Sequence, residues 1–355
     1  MAAAGRRAAM TARRRLFLDD AVGERRGVVW LDGRPERLLL ARDGDAGAPG
    51  PGAVVVARVA RVEKGLGVAF LEGPGGVSLM VARAALPDGA GQGRFVRVQV
   101  LAPARRDKAA SGRVLQVDAA PPRWITPTPD LAERLQGFAP GAEIEAGAGA
   151  REAADHAVEE ALAIEFPLRG GGRLTLEQTR ALVAVDVDMG TSAGADDRAS
   201  ATRTNQIALT ETARLLRLKG LGGLVIVDLA GKGHNGPVLM EAVKAAFAAD
   251  QPGVAVGPIS KFGVLELTVP WRAAPVAERL VGLDGRPDPL TAALAMIREI
   301  ERAAQPGRQV TALCAPEVAA AARSLEAGLI SRIGPRFTIT PQPARGRDER
   351  EVFAR

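Results

Sequence analysis

The residues of this chain best suited to chemistry are acidic, few, and set at the ends of apolar runs. One run reads Ala181-Leu-Val-Ala-Val-Asp186-Val-Asp188 and another Gly222-Gly-Leu-Val-Ile-Val-Asp228. Desolvating an unpaired carboxylate costs several kcal/mol or more, so buried strands exclude it unless it has a use. The C-terminal ends of such strands are where α/β folds build their sites. Two carboxylates held close there repel unless a cation or proton intervenes. A hard divalent ion such as Mg²⁺ suits the gap, because it takes one or two carboxylates and keeps several waters. It would lower the pKa of a bound water and polarise a phosphoryl oxygen. Asp188 faces the same side as Asp186 if the strand continues, as a further ligand or a group that positions the attacking water. Either aspartate alone is as readily an N-cap or turn residue. The pair is harder to dismiss, since one basic helix joins the runs and the crossover rule then puts parallel strands in one sheet with matching ends. No histidine stands beside these acids, for the chain has only His156 and His234, so a histidine-dependent phosphodiester cleavage is a poor fit.

A rival site lies just beyond Asp228. Gly231-Lys-Gly-His-Asn-Gly236 matches G-x-G-x-x-G between a strand and a helix, and Asp250 follows about 20 residues on. Against a dinucleotide site, Asp228, Leu229 and Ala230 separate the apolar run from the first glycine. Asp250 falls in Asp-Gln-Pro-Gly rather than at the end of a second strand, and a pyrophosphate would sit beside carboxylates. As a basic loop near phosphates, Lys232 and His234 keep their interest.

A chain of 355 residues exceeds one small core, and two or three domains are expected to hold these residues. Net charge is +6, which favours a polyanionic partner, although a merely basic soluble protein has the same balance. The single cysteine, Cys314, excludes a disulfide framework or a cysteine-based zinc site within one chain. No apolar run approaches the roughly 18 residues of a membrane span. Residues 1–13 are basic without the apolar stretch of a signal peptide and read as a disordered lead-in, so a cytoplasmic protein is expected.

The fold class that follows is a multidomain α/β chain. Residues 14–48 hold two short strands, at 15–18 and 27–31. Residues 49–118 carry five short strands, the pattern of a small OB-type barrel. Such a barrel can stack bases on aromatics over a basic groove. Here Phe70 and Phe95 are its phenylalanines, with Arg58, Arg61 and Lys64 near one strand and Arg105, Arg106 and Lys108 in a loop. Each of these charges is equally at home as solvated surface. Residues 119–157, rich in proline, read as a linker. An α/β core spans 158–272, with a helix at 158–165 and a helix at 203–219 whose Arg203, Arg214, Arg217 and Lys219 point mostly outward. A linker at 273–286, a small α/β unit at 287–342 and a polar, mobile tail at 343–355 complete the chain.

At these residues the chain resembles the ribonuclease E/G family. The resemblance runs through Arg180-Ala-Leu-Val-Ala-Val-Asp186-Val-Asp188, Thr204-Asn205, the stretch from Ala213 to Asp228, and Ile259-Ser-Lys261-Phe-Gly-Val-Leu-Glu-Leu267. Outside that run, 14–118 resembles the family's N-terminal strands and inserted S1 barrel, and 287–342 its small C-terminal domain. The resemblance implies an endoribonuclease that hydrolyses single-stranded RNA in RNA processing, with Mg²⁺ held by Asp186 and Asp228. Attack by water would leave a 5′-phosphate and a 3′-hydroxyl. Phe70 and the basic residues above, together with Lys232 and Lys261, are then expected to contact RNA. Several positions depart from the family pattern. Asp188 replaces an asparagine, and Gly231 replaces an aspartate. The barrel's second stacking aromatic has no counterpart near Leu79, and the zinc-link cysteines are missing from Val281-Gly-Leu-Asp-Gly-Arg-Pro287. A homo-oligomer is then conceivable only without zinc. The segment between barrel and core is short, leaving no residues for a 5′-monophosphate sensor. A non-catalytic RNA-binding relative is the second reading, and a nucleotide-cofactor enzyme the third.

Overall fold

The chain opens as an antiparallel meander of β1 (Arg14–Ala21), β2 (Glu24–Leu31) and β3 (Arg34–Arg42). The computed structural model describes residues 14–45, 47–106, 108–190, 197–232 and 234–355, so the lead-in read at 1–13 lies outside the described residues. Two short strands were expected where three long ones form. The third is disguised by Arg34-Pro-Glu-Arg37, yet Asp32-Gly33 before it is the two-residue hairpin signal. Both residues take the left-handed backbone such a turn requires, at φ 49° and 82°.

A closed barrel follows, made of β4 (Val54–Glu63), β5 (Val68–Glu72), β6 (Ser78–Ala82), β7 (Phe95–Ala102) and β8 (Ala110–Asp118). The order is β5-β6-β8-β7-β4, with β4 pairing back to β5. Strict alternation drives it: Val55, Ala57, Val59, Leu71, Leu79, Val81, Val96, Val98 and Val100 fill the interior, while their neighbours in sequence face out. The expected OB-type barrel is therefore present. A short strand, β9 (Arg123–Thr126), adds to the β4 edge.

Next come α1 (Leu131–Gln136), β10 (Ile144–Glu145), which pairs in parallel with β1, and α2 (Ala148–Leu162). A capping box between Asp130 and Glu133 starts α1. Its Leu131 and Leu135 cover one face of the meander against Leu16, Val29 and Leu39. On the other face lies α2, which begins about ten residues before the helix read at 158–165, inside the stretch read as a linker. Its packed face is alanine at 150, 153, 154, 157 and 161. That spacing is helical, but a search for large apolar residues passes over it.

The central sheet contains β11 (Glu165–Pro167), β12 (Arg173–Gln178), β13 (Val183–Asp188), β14 (Gly223–Asp228), β15 (Ala255–Val256) and β16 (Val264–Val269). Their order is β11-β12-β13-β14-β16-β15. Only β13 and β14 run parallel, joined by the long α3 (Asp197–Lys219) as the crossover rule requires. With α4 (Gly236–Ala246), α3 covers one face of the sheet, and one core runs from Phe17, Val28, Leu38 and Leu40 of the meander through the α2 alanines to Val185, Val225 and Leu265. The reading of α3 as a one-sided helix is corrected: Arg214, Arg217 and Lys219 are interior. Glu36 of β3 and Glu160 of α2 close over that face, and Arg217 pairs with Asp250 at 2.6 Å and Glu36 at 3.4 Å, Arg214 with Glu160 at 2.5 Å.

After α5 (Val276–Leu280), the small unit comprises α6 (Pro289–Ala303), β17 (Val310–Cys314), α7 (Pro316–Ala322), α8 (Glu326–Ile333), β18 (Phe337–Pro341) and β19 (Glu351–Ala354). It has its own core around Leu294, Ile297, Ile300, Val310, Val318 and Leu329. The stretch read as a mobile tail contains β19, which pairs with β17 on the edge opposite β18. Where the resemblance leads one to expect zinc ligands, Val281 bridges Pro287 and the Asp284 carboxylate meets Arg347. Among the described residues no helix is long and apolar enough to cross a membrane.

Candidate metal centre

Strand register brings the two aspartates together. Asp186 of β13 lies directly opposite Asp228 of β14, so their Cα atoms sit about 5 Å apart across the ladder. The alternation Val183-Ala-Val185-Asp186-Val187-Asp188 sends the valines into the core and both aspartates to the other side; Val225 and Val227 do the same for Asp228. That other side is open. Thr175, opposite Asp186, Glu266, opposite Ile226, and Leu224 share it, and Leu224 is 40% exposed. The expectation of buried strands therefore holds for one face only. The sheet is one-sided, and the carboxylates stay hydrated at the C-terminal ends of the parallel pair.

With the described residues, neither Asp186 nor Asp228 makes an ion pair or side-chain hydrogen bond. At this spacing two carboxylates repel by roughly 1 kcal/mol through water and about 3 kcal/mol at the effective dielectric of a protein surface. A hard divalent cation relieves that repulsion and finds the oxygen donors it prefers, so the donor set fits Mg²⁺. Among the described residues no group of three or more His, Cys, Asp or Glu side chains is gathered for a metal. Asp188 has local partners: its Oδ1 accepts from the Gly190 N–H at 2.9 Å, and Arg173 stands 3.7 Å from its Oδ2.

Two loops frame the carboxylates. After β14, Ala230 is clamped by Asn205 of α3: Asn205 Nδ2 donates to the Ala230 carbonyl at 3.0 Å, and the Ala230 N–H donates to Asn205 Oδ1 at 2.9 Å. Gly231 comes so close to α3 that a Cβ would stand 2.9 Å from Ala201, and its φ is +82°. An aspartate cannot occupy that place without moving the loop. The second loop, Ser260–Gly263, precedes β16, whose Val264 faces Asp228, and the Leu229 N–H donates to the Gly263 carbonyl at 3.2 Å. Lys232 and Lys261, both exposed, therefore belong to the carboxylate end. Asn205 is the residue that sequence reasoning missed as a functional part; its signal was a poor helix former inside a long helix.

The remaining predicted contacts lie elsewhere. On the barrel wall Phe70 faces out between Arg61, whose guanidinium is 4.9 Å from the ring centroid, and Met80. Leu79 is buried, so Met80 is the outward neighbour at the place where a second aromatic is lacking. Arg58 pairs with Glu72 at 2.6 Å and Arg61 with Glu63 at 2.9 Å, while Lys64 is exposed in the following turn. Arg105 is stacked on Trp271, 3.8 Å from the ring centroid, and burial pushes its guanidinium pKa down. Trp271 covers Gly223 at the start of β14, so the Arg105–Lys108 loop docks at the end of the sheet away from Asp228. Arg106 and Lys108 remain exposed.

The dinucleotide reading fails on topology. The strand after α4 that pairs with β14 is antiparallel to it, so no βαβ unit exists there, and Asp250 is buried against Arg217.

Fold and site together define an α/β unit that presents an opposed carboxylate pair on an open sheet face. Residues 144–270 match the family model described as Ribonuclease E/G family. The chain is 34% identical over 116 residues to a chloroplastic ribonuclease E/G-like protein of Arabidopsis thaliana. To ribonuclease E of Escherichia coli it is 35% identical over 118 residues, and to that of Haemophilus influenzae 35% over 115. Each alignment covers 31% of this chain, but only 11% of the Escherichia coli protein and 12% of the other two.

Proposed function

We propose that this chain is an Mg²⁺-dependent endoribonuclease that cuts single-stranded RNA. The observation that carries the reading is the register of β13 and β14, which sets Asp186 opposite Asp228 with both side chains exposed and unpaired among the described residues. Mg²⁺ at this pair would supply charge for a phosphoryl oxygen and a water acidic enough to attack at neutral pH. The protein's own residues do the rest. Asp186 and Asp228 hold the ion, Asn205 fixes the loop behind Asp228, and Lys232 and Lys261 attract the phosphate backbone. The match of residues 144–270 to the ribonuclease E/G family model and the likeness to relatives named ribonuclease E support the same chemistry.

The test is incubation of a labelled, unstructured RNA with the purified protein, with and without Mg²⁺, beside Asp186→Asn. Metal-dependent cleavage that the variant loses is the expected result. Binding without cleavage would overturn the reading and leave an RNA-binding protein. The engagement of Asp188 by Gly190 and Arg173 is the feature that favours this second outcome.

A further inference from the structure

Phe262 is 79% exposed in a chain that is 3% aromatic and has no tyrosine. Leaving a phenylalanine in water forgoes on the order of 2 kcal/mol, and a slack loop would fold the ring inward. This loop is not slack. The Ser260 N–H donates to the Val264 carbonyl at 2.9 Å and the Gly263 N–H to the Ser260 carbonyl at 3.0 Å. Ser260 Oγ accepts from the N–H groups of Phe262 and Val264, each at 3.2 Å. Gly263 has φ +85°, and a Cβ there would stand 2.9 Å from His234 Nε2 on the facing loop. The backbone is locked, and it holds the ring out.

The place of the ring is also fixed. Val264 is opposite Asp228, which puts Phe262, two residues earlier, within roughly 12 Å of that aspartate. Its immediate neighbours are Ser260, Lys261 and Gly263, with the Lys261 ammonium 5.0 Å from the ring centroid. An apolar protein partner would want apolar neighbours around such an anchor. An aromatic face with a lysine over it, within roughly 12 Å of a carboxylate pair, suits a base on a polyanionic strand.

We propose that Phe262 is the base-stacking residue of this site. It takes the face of an unpaired nucleobase one or two nucleotides from the phosphate at Asp186 and Asp228, while Lys261 pairs with the adjoining phosphate. This rests on the RNA reading above and adds to it a demand for an unstacked base at a set distance from the cut.

The test separates binding from cleavage. In the full chain carrying Asp228→Asn, a fluorescein-labelled unstructured oligoribonucleotide is titrated and followed by anisotropy. Phe262→Ala should weaken binding about 5- to 150-fold, the range of one stacked base, and Phe262→Trp should restore it. The salt slope should be unchanged by Phe262→Ala and reduced by about one in Lys261→Ala. An abasic nucleotide moved along the strand should weaken the parent at one position and leave Phe262→Ala indifferent there. Equal affinity in parent and Phe262→Ala, or equal abasic losses in both, would overturn the proposal. If the unsubstituted protein does not cut yet the stacking pattern holds, only the cleavage reading falls. If it cuts and the pattern is missing, only the stacking falls. An absence of RNA binding overturns both.

Discussion

Asn205→Ala should slow RNA cleavage while leaving the protein folded. The substitution strands the N–H and C=O of Ala230, which is 8% exposed. Leaving each buried group without a partner costs about 1–3 kcal/mol. The sum, roughly 2–6 kcal/mol, is smaller than most of the 5–15 kcal/mol range typical of folded proteins, so the melting temperature should fall while the fold is kept. The larger effect is on geometry. Asp228 precedes the clamped residue by two positions, and a catalytic group misplaced by about 1 Å can cost on the order of 100-fold in rate. Cleavage of an unstructured RNA at saturating and limiting concentrations should show a fall in kcat of about that size with KM little changed. Thr212→Val is the control on the same helix: its buried hydroxyl donates only to the Ala208 carbonyl, at 2.8 Å, so it should lower stability by about 1 kcal/mol and leave kcat alone. Hydrogen exchange at Leu229 and Ala230 should quicken in Asn205→Ala alone. If Asn205→Ala melts lower yet cuts at the parental rate, the clamp is structural and the argument from Ala230 to Asp228 is wrong.

Other consequences are independent of that clamp. Arg217→Met takes from buried Asp250 its partner at 2.6 Å, leaving Arg37 at 3.8 Å, while Glu36 keeps Arg14 at 2.9 Å; breaking a buried pair costs about 3–5 kcal/mol, so the melting temperature should fall more than in any exposed arginine variant. Burial alone would raise the Glu36 carboxyl, but Arg14, with Arg37 and Arg217, outweighs it and holds the pKa below its usual value. The stability this carboxylate contributes is present above its unfolded pKa and lost as pH falls through the lowered folded value, so Glu36→Gln should flatten the acid limb of a melting curve. Lys219 shows the opposite behaviour: burial pushes its pKa down to about 8 despite the pull of Glu160. The unfolded chain then holds its proton more tightly, stability should rise between about pH 8 and the unfolded pKa of 10.5, and Lys219→Met should remove that rise. Arg105→Ala should speed hydrogen exchange in the barrel loop and around Trp271, as expected for a cation–π contact worth roughly 0.5–2 kcal/mol. Substrates with a 5′-triphosphate and a 5′-monophosphate should be cut at equal rates, and a clear difference would show that a 5′ sensor exists.

Much of the site was legible because it depends on period-two alternation. Val183, Val185 and Val187 dictate where Asp186 and Asp188 point, and a βαβ crossover dictates that Asp228 comes alongside. The barrel was legible for the same reason. The α2 helix was not, since its core face is alanine and its flanks are rich in proline. Nor was β19, because Glu351–Ala354 is too short to read until β17 offers it an edge. What the alternation could not show is the local company of Asp188, whose Oδ1 accepts from the Gly190 N–H and which has Arg173 nearby.

By itself, then, the sequence determined the parallel pairing of β13 and β14, the side on which the acids lie, the barrel and the likeness of residues 144–270 to the ribonuclease E/G family model. These follow from local periodicity and from motifs whose geometry is carried by a few consecutive residues. Tertiary structure alone decided that the sheet is covered on one face only, and that the cations at the end of α3 are interior. It also decided that Arg105 faces Trp271 and that Phe262 stands in solvent on the loop leading to the strand opposite Asp228. Each of these depends on which distant element packs against a given face, and no pattern within a single element encodes its neighbour.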